Sequence, residues 1–368
     1  MTERDWKIAE AIERGMNRMK RSGRNEILGS DVGGILAELK EEGMDVRPEE
    51  LDAWGLETRP WLEPKRELCE RLSPTLKKRF CKDFAVPVAV FDEPYFSERL
   101  AVVELTKPVL EDLKIFVEET GRFEREQDYF EEYGKVKERA IEALRGNSEY
   151  VRFNEETFED PKKPFPKGNL YSEVNVGGRF VSADMRRANF SALRRYSSFM
   201  FDGARTWEDW ISRFTDMRHV VRSKYVRQVI MGACNPGRQI RYEKILTAKL
   251  LEEVSEAIPT DVLCLSADEF VLRIPKNDAE TERTLSTLRW IVAESRTPFF
   301  RIDAFELEEL PDKAGFVKRD FEGKPDEYKC VSSESFHMVV KKRLGLPIEE
   351  NDLVFVHDGR LARYLEAP

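Results

Sequence analysis

Three acids in this chain stand where divalent-metal chemistry would need them. Asp184 ends the apolar run GRFVSADM at 178–185, and Asp268 and Glu269 occupy the short break between the apolar runs VLCL and FVLRI. If these segments are neighbouring antiparallel strands, the acids fall side by side. Clustered carboxylates repel one another, so such a group recruits a hard cation, Mg²⁺ or Mn²⁺. Two ions bridged by carboxylates activate an attacking oxygen and stabilise a leaving pyrophosphate. Either acid segment taken alone reads as an ordinary solvated turn or strand end. Their conjunction, with helices between them, carries the catalytic expectation.

The basic residues supply the second half of that chemistry. Net charge is −9, yet the window 179–241 is rich in arginine and poor in acids. Within it, MRHVVRSKYVRQVIMG at 217–232 reads as one basic helix, with Arg218 and Arg222 four apart on one face. Arg218, Arg222, Lys224 and Arg227 are candidates for holding a triphosphate, because the guanidinium fork matches two phosphate oxygens at once. A solvated basic face is the plainer alternative. The acidic total argues against a large nucleic-acid footprint, although local field outweighs the sum.

Composition narrows the remaining classes. Hydrophobic residues make up 41% and charged residues 36%, which excludes a disordered chain. No apolar run approaches the ~18 residues of a membrane span, and the charged amphipathic start lacks the features of a secretory signal. Five cysteines without a CxxC pair argue against a disulfide framework or zinc ribbon. A cytoplasmic or other reducing intracellular home is therefore expected, with no membrane partner. His219, His337 and His357 are too few and scattered for a histidine metal site.

Positioning the acids requires an α+β core. A strand at 178–185 is followed by helices, including the amphipathic segment YEKILTAKLLEEVSEAI at 242–258. A hairpin at 261–275, a helix at 281–295 and a strand at 299–310 complete the pattern. That order is the βαββαβ order of a ferredoxin-like palm, a fold that hosts many functions. Upstream, helices are expected at 3–22, from Ser30-Asp31 to Leu39, over 48–58 and over 108–146. Short β-type runs broken by Pro87 and Pro94 are expected over 84–106. PKKPFPKGN at 161–169 reads as a linker. The expected organisation is a helix-rich N-terminal region (1–160), a palm-like catalytic core (161–310) and a small C-terminal region (311–368).

The hairpin SADEF resembles the YADDF hairpin of reverse transcriptases and the GGDEF hairpin of diguanylate cyclases. Its Asp-Glu pair also resembles the His-Asp-Glu motif of family A DNA polymerases. VSADMRRANFSALR resembles polymerase motif A in these families. The resemblance covers about a quarter of the chain and implies a palm-type nucleotidyltransferase, a template-directed polymerase using two divalent metals. It implies that Asp184, the Met185 carbonyl, Asp268 and Glu269 hold the metals. It places Asn189 where these polymerases test the sugar; a polar group there implies ribonucleotide acceptance. Arg218, Arg222, Lys224 and Arg227 would meet nucleoside triphosphate, and Lys313, with Lys318 behind it, would protonate the pyrophosphate. The C-terminal region would be thumb-like, and an RNA or DNA template and partner chains would complete the machine. Asp184 and Asp268 are 84 residues apart, and Ser266-Ala267 replace the two cyclase glycines. Both features suit a polymerase better than a cyclase or dinucleotide synthase. A non-catalytic palm serving as a structural subunit is the third alternative.

Overall fold

The computed structural model describes residues 3–21, 29–47, 50–51, 62–91, 100, 106–160, 166–259, 261–295, 297–321, 326–332, 334–357 and 360–366. The chain divides into two compact units. One is Met1–Arg122 with Ser332–Pro368, and the other is Phe123–Val331. No helix among the described residues is long and apolar enough to cross a membrane.

The first unit is mostly helical. Helix α1 (Glu3–Arg21) lays Ile8, Ala11 and Ile12 against Val32, Ile35 and Leu39 of α2 (Gly29–Glu41). The i, i+3, i+4 spacing on both makes the shared seam. Helices α3 (Leu62–Glu70), α4 (Pro74–Phe84) and α5 (Thr106–Thr120) follow. Ser73 caps α4 by accepting the Leu76 N–H at 3.1 Å, and Phe80 packs edge-on against Phe116 of α5. The end of the chain adds a helix at Phe336–Arg343 and a hairpin of Val354–His357 with Arg360–Arg363. The expected β-type run over 84–106 holds a 3₁₀ turn at Val88–Phe91; most of the rest, and most of the helix expected over 48–58, lies outside the described residues.

The second unit carries every candidate site residue. It opens with α6 (Glu126–Gly146) and α7 (Ser148–Glu155). The single helix expected over 108–146 is thus two, broken at 121–125. A Cβ at Gly121 would sit 3.0 Å from the Val117 carbonyl, so a side chain there would crowd the end of α5. Strand β1 (Arg179–Met185) leads to α8 (Ala188–Tyr196), α9 (Trp207–Ile211), α10 (Arg218–Arg222), α11 (Lys224–Gly232) and α12 (Pro236–Ala257). Then come β2 (Asp261–Leu265), β3 (Glu269–Ile274), α13 (Asp278–Glu294), β4 (Phe300–Glu309), β5 (Phe316–Asp320) and β6 (Glu327–Lys329). The basic segment 217–232 is two helices and not one. Ser223 ends α10 and caps α11, its hydroxyl accepting the Val226 N–H at 3.1 Å.

All six strands pair antiparallel in the order β2-β3-β1-β4-β5-β6. The fold is mixed helix and antiparallel sheet, as the α+β expectation requires. Alternation sends Val181, Ala183 and Met185 of β1, with Phe270 and Leu272 of β3 and Ile302 of β4, onto α12 and α13. The opposite face packs Phe180, Val271, Phe305 and Leu307 under Leu170. By the same alternation Asp184 and Glu269 belong to this second face. The unit boundaries differ from linear divisions near 160 and 310 for two reasons. β5 and β6 continue the sheet past 310, and α6 docks on the helical layer, where Tyr129 and His219 share a buried 3.1 Å hydrogen bond.

Candidate functional site

Asp184 and Glu269 face each other directly across β1 and β3. The Met185 N–H donates to the Asp268 carbonyl at 2.8 Å, which makes 185/268 the hydrogen-bonded pair and 184/269 the closer, non-hydrogen-bonded one. Cα atoms in such pairs lie about 4.5 Å apart. Like charges so placed are unfavourable unless something intervenes. Two cations do. Lys318 reaches Glu269 at 3.4 Å from β5, its ammonium lying 4.6 Å from the Phe305 ring centroid. Arg301 reaches Asp184 at 3.7 Å, while also pairing with Asp303 at 2.5 Å and Glu327 at 3.6 Å. They do not fully offset the crowding: burial, then Glu269 and Asp268, keep the Asp184 carboxyl above its usual range against the opposing pull of Arg301 and Lys318.

The hairpin turn is locked by Ser266. Its hydroxyl accepts the Glu269 N–H at 3.0 Å and lies 3.2 Å from the Asp268 carboxylate, while its own N–H donates to the Glu269 carbonyl at 2.8 Å. Asp268 is thereby held at the tip of the turn. On the side of the helical layer it borders a cleft of about 480 Å³ that Asp184, Met185 and Asn189 also line. Met185 is buried, and the Asn189 carboxamide oxygen accepts the Phe190 N–H at 2.9 Å. Its amide nitrogen remains the donor available to a ligand.

The same cleft is also lined by bases, Arg187, Lys224 and Arg227. Arg187 takes the left-handed conformation (φ 50°) at the start of α8 and pairs with Glu208. For a residue with a Cβ this conformation is uncommon and concentrates at functional turns. Arg227 has a buried Nε without a hydrogen-bond partner, and burial, then the nearby Arg187 charge, lower its pKa. A guanidinium left short of partners beside a second arginine is suited to an anion.

The structure brings together Asp184, Met185, Asn189, Lys224, Arg227 and Asp268 around the cleft, with Glu269 paired to Asp184 on the other face of the sheet. It sets apart Arg218 and Arg222, which lie on α10 and do not line the cleft, because Ser223 breaks the helix that would have aligned them. Lys313 sits in the β4–β5 turn and pairs with Glu173 at 2.5 Å, so Lys318 is the lysine at the acids. Sequence reasoning missed Arg187 and Arg301 as site residues, and also Glu243, a carboxyl buried on α12 whose pKa rises to about 7 through burial and then Asp268. The signal for Glu243 was present. It shares a helical stripe with Thr247, Leu251 and Val254, so a charge falls on the buried face.

Among the described residues no three acid, histidine or cysteine side chains converge closely enough to grip a bare ion. The donor chemistry is nonetheless that of hard cations: carboxylate oxygens, with neither thiol nor imidazole in the cleft. Comparison with protein-family models, with curated proteins and with solved structures finds no match to this chain.

Proposed function

We propose that the unit 123–331 is a palm-type nucleotidyltransferase that adds nucleotides to a nucleic-acid end under the direction of a template. The observation carrying this reading is one cleft lined by both acids and bases, Asp184 and Asp268 together with Arg187, Lys224 and Arg227. A triphosphate needs cationic groups along its length and acids plus metal at its reacting phosphorus. The strand order β2-β3-β1-β4, with α12 and α13 on one face, also agrees with a ferredoxin-like βαββαβ palm.

On this reading Asp184 and Asp268 would hold Mg²⁺ or Mn²⁺ with the Met185 carbonyl beside them, and Glu269 would reach the ion only from its place opposite Asp184 at the strand end. The bound metal supplies Lewis-acid stabilisation of the reacting phosphate and lowers the pKa of an attacking hydroxyl. The chain's own groups bind and orient. Arg227 and Lys224 take the phosphates, and the Asn189 amide meets the sugar, consistent with ribonucleotide use. Lys318 and Arg301 offset the repulsion between the carboxylates before the cation arrives. Those two ion pairs also favour a second reading, a structural palm whose acids are permanently neutralised. A cyclase or dinucleotide synthase draws less support, because the Ser266 side chain fills the turn that paired glycines would leave open.

The test is product analysis with labelled nucleoside triphosphates and Mg²⁺ or Mn²⁺, on primed RNA, on primed DNA and without template. Template-dependent extension supports the polymerase. A cyclic or linear dinucleotide formed without template replaces it with the synthase, and no nucleotide chemistry under any condition leaves the structural palm.

A further inference from the structure

Glu243 has no role in the chemistry described above, yet its position is costly. It is 6% exposed on α12 and lines the same cleft as Asp184 and Asp268. No donor or cation among the described residues pairs with its carboxylate, and the neighbouring charge is the like charge of Asp268. Its place is fixed. One turn further along α12, the Thr247 hydroxyl donates to the Ala267 carbonyl at 2.8 Å, tying the helix to the hairpin turn beside Asp268. A buried carboxylate without a partner is destabilising, and a carboxyl kept only for packing would be replaceable by an apolar group.

We propose that Glu243 belongs to the cation site of this cleft, anchoring through water a hydrated divalent cation that Asp268 also holds. The inference rests on the metal-using reading of the cleft. Among the described residues the carboxylates do not converge into a close cage. That spread suits Mg²⁺, which dehydrates reluctantly and keeps several of its waters. A cleft of about 480 Å³ has room for the ion and its shell, since each water occupies about 30 Å³. Glu243 acts here as a positioning residue for the ion's water shell and does not touch the reacting atoms.

The test is direct Mn²⁺ binding to the full chain, read from the loss of the free-ion electron paramagnetic resonance signal, with no nucleotide present. Wild type, Glu243→Gln and Glu243→Asp are compared after circular dichroism has confirmed that each is folded. The proposal expects E243Q to weaken Mn²⁺ by about 10-fold or more, the usual effect of losing an outer-sphere partner. It expects E243D, which keeps the charge, to recover part of that loss. An E243Q affinity within two-fold of wild type overturns the proposal while leaving the metal-using cleft intact. So does an E243D affinity no better than that of E243Q. A wild type that binds no Mn²⁺ overturns both this proposal and the metal reading on which it rests.

Discussion

Replacing Glu243 by glutamine should stabilise the metal-free protein, and the gain should depend on pH. The carboxyl is almost fully buried, and burial followed by Asp268 raises its pKa from 4.5 to about 7. In the unfolded chain it returns to the ordinary value. Between those two values the folded state holds a proton that the unfolded state has released, so stability falls as pH rises from about 4.5 through about 7. A shift of this size corresponds to about 3 kcal/mol at about 1.4 kcal/mol per unit, an upper bound because neighbouring groups relax. Glutamine keeps the shape of the protonated acid and carries no titration. E243Q should therefore match wild type near pH 4.5 and exceed it by up to about 3 kcal/mol at pH 8. Urea unfolding in EDTA, followed by tryptophan fluorescence, reads the difference, since Trp207 and Trp210 are buried in this unit. A stability difference that stays flat from pH 5 to pH 8 would refute the assignment of an unpaired buried carboxylate.

Arg227→Ala should raise the KM for nucleoside triphosphate by about 10- to 100-fold, the scale of one lost charge-assisted contact to phosphate, with little change in melting temperature because no ion pair is broken; steady-state kinetics and melting check the two halves. Ser223→Ala removes the cap of α11 and should cost about 1 kcal/mol in urea unfolding, with the loss traceable to the Val226 N–H. Asn189→Phe should shift the ratio of ribonucleotide to deoxyribonucleotide incorporation toward deoxyribonucleotide, by filling the space beside the sugar; competition assays give the ratio directly.

Much of the site was legible because its parts are local. The hairpin at 261–274 announces itself by two apolar runs around Ser266–Glu269, and the strand at 300–309 by alternation. The pairing of Asp184 with Glu269 follows from strand period once the two strands are neighbours. Other features depend on contacts between distant segments. Nothing local marks Arg301 and Lys318 as partners of these acids, because they arrive from β4 and β5, and β5 and β6 are short and polar. The break at Ser223 was hidden because Val220, Val221 and Val226 continue a helical apolar pattern through it, so only the serine's capping role distinguishes two helices from one. The grouping of both chain ends in one unit has no local signature either.

The central claim is that Asp184 and Asp268 support metal-dependent nucleotidyl transfer. Its most direct test is nucleotide incorporation at saturating Mg²⁺ by wild type, Asp184→Asn and Asp268→Asn, with folding verified for each. The account predicts extension by wild type and a loss of at least about 1,000-fold in both variants, the scale of removing a preorganised electrostatic group from a reacting centre. Incorporation that persists in both asparagine variants would contradict it.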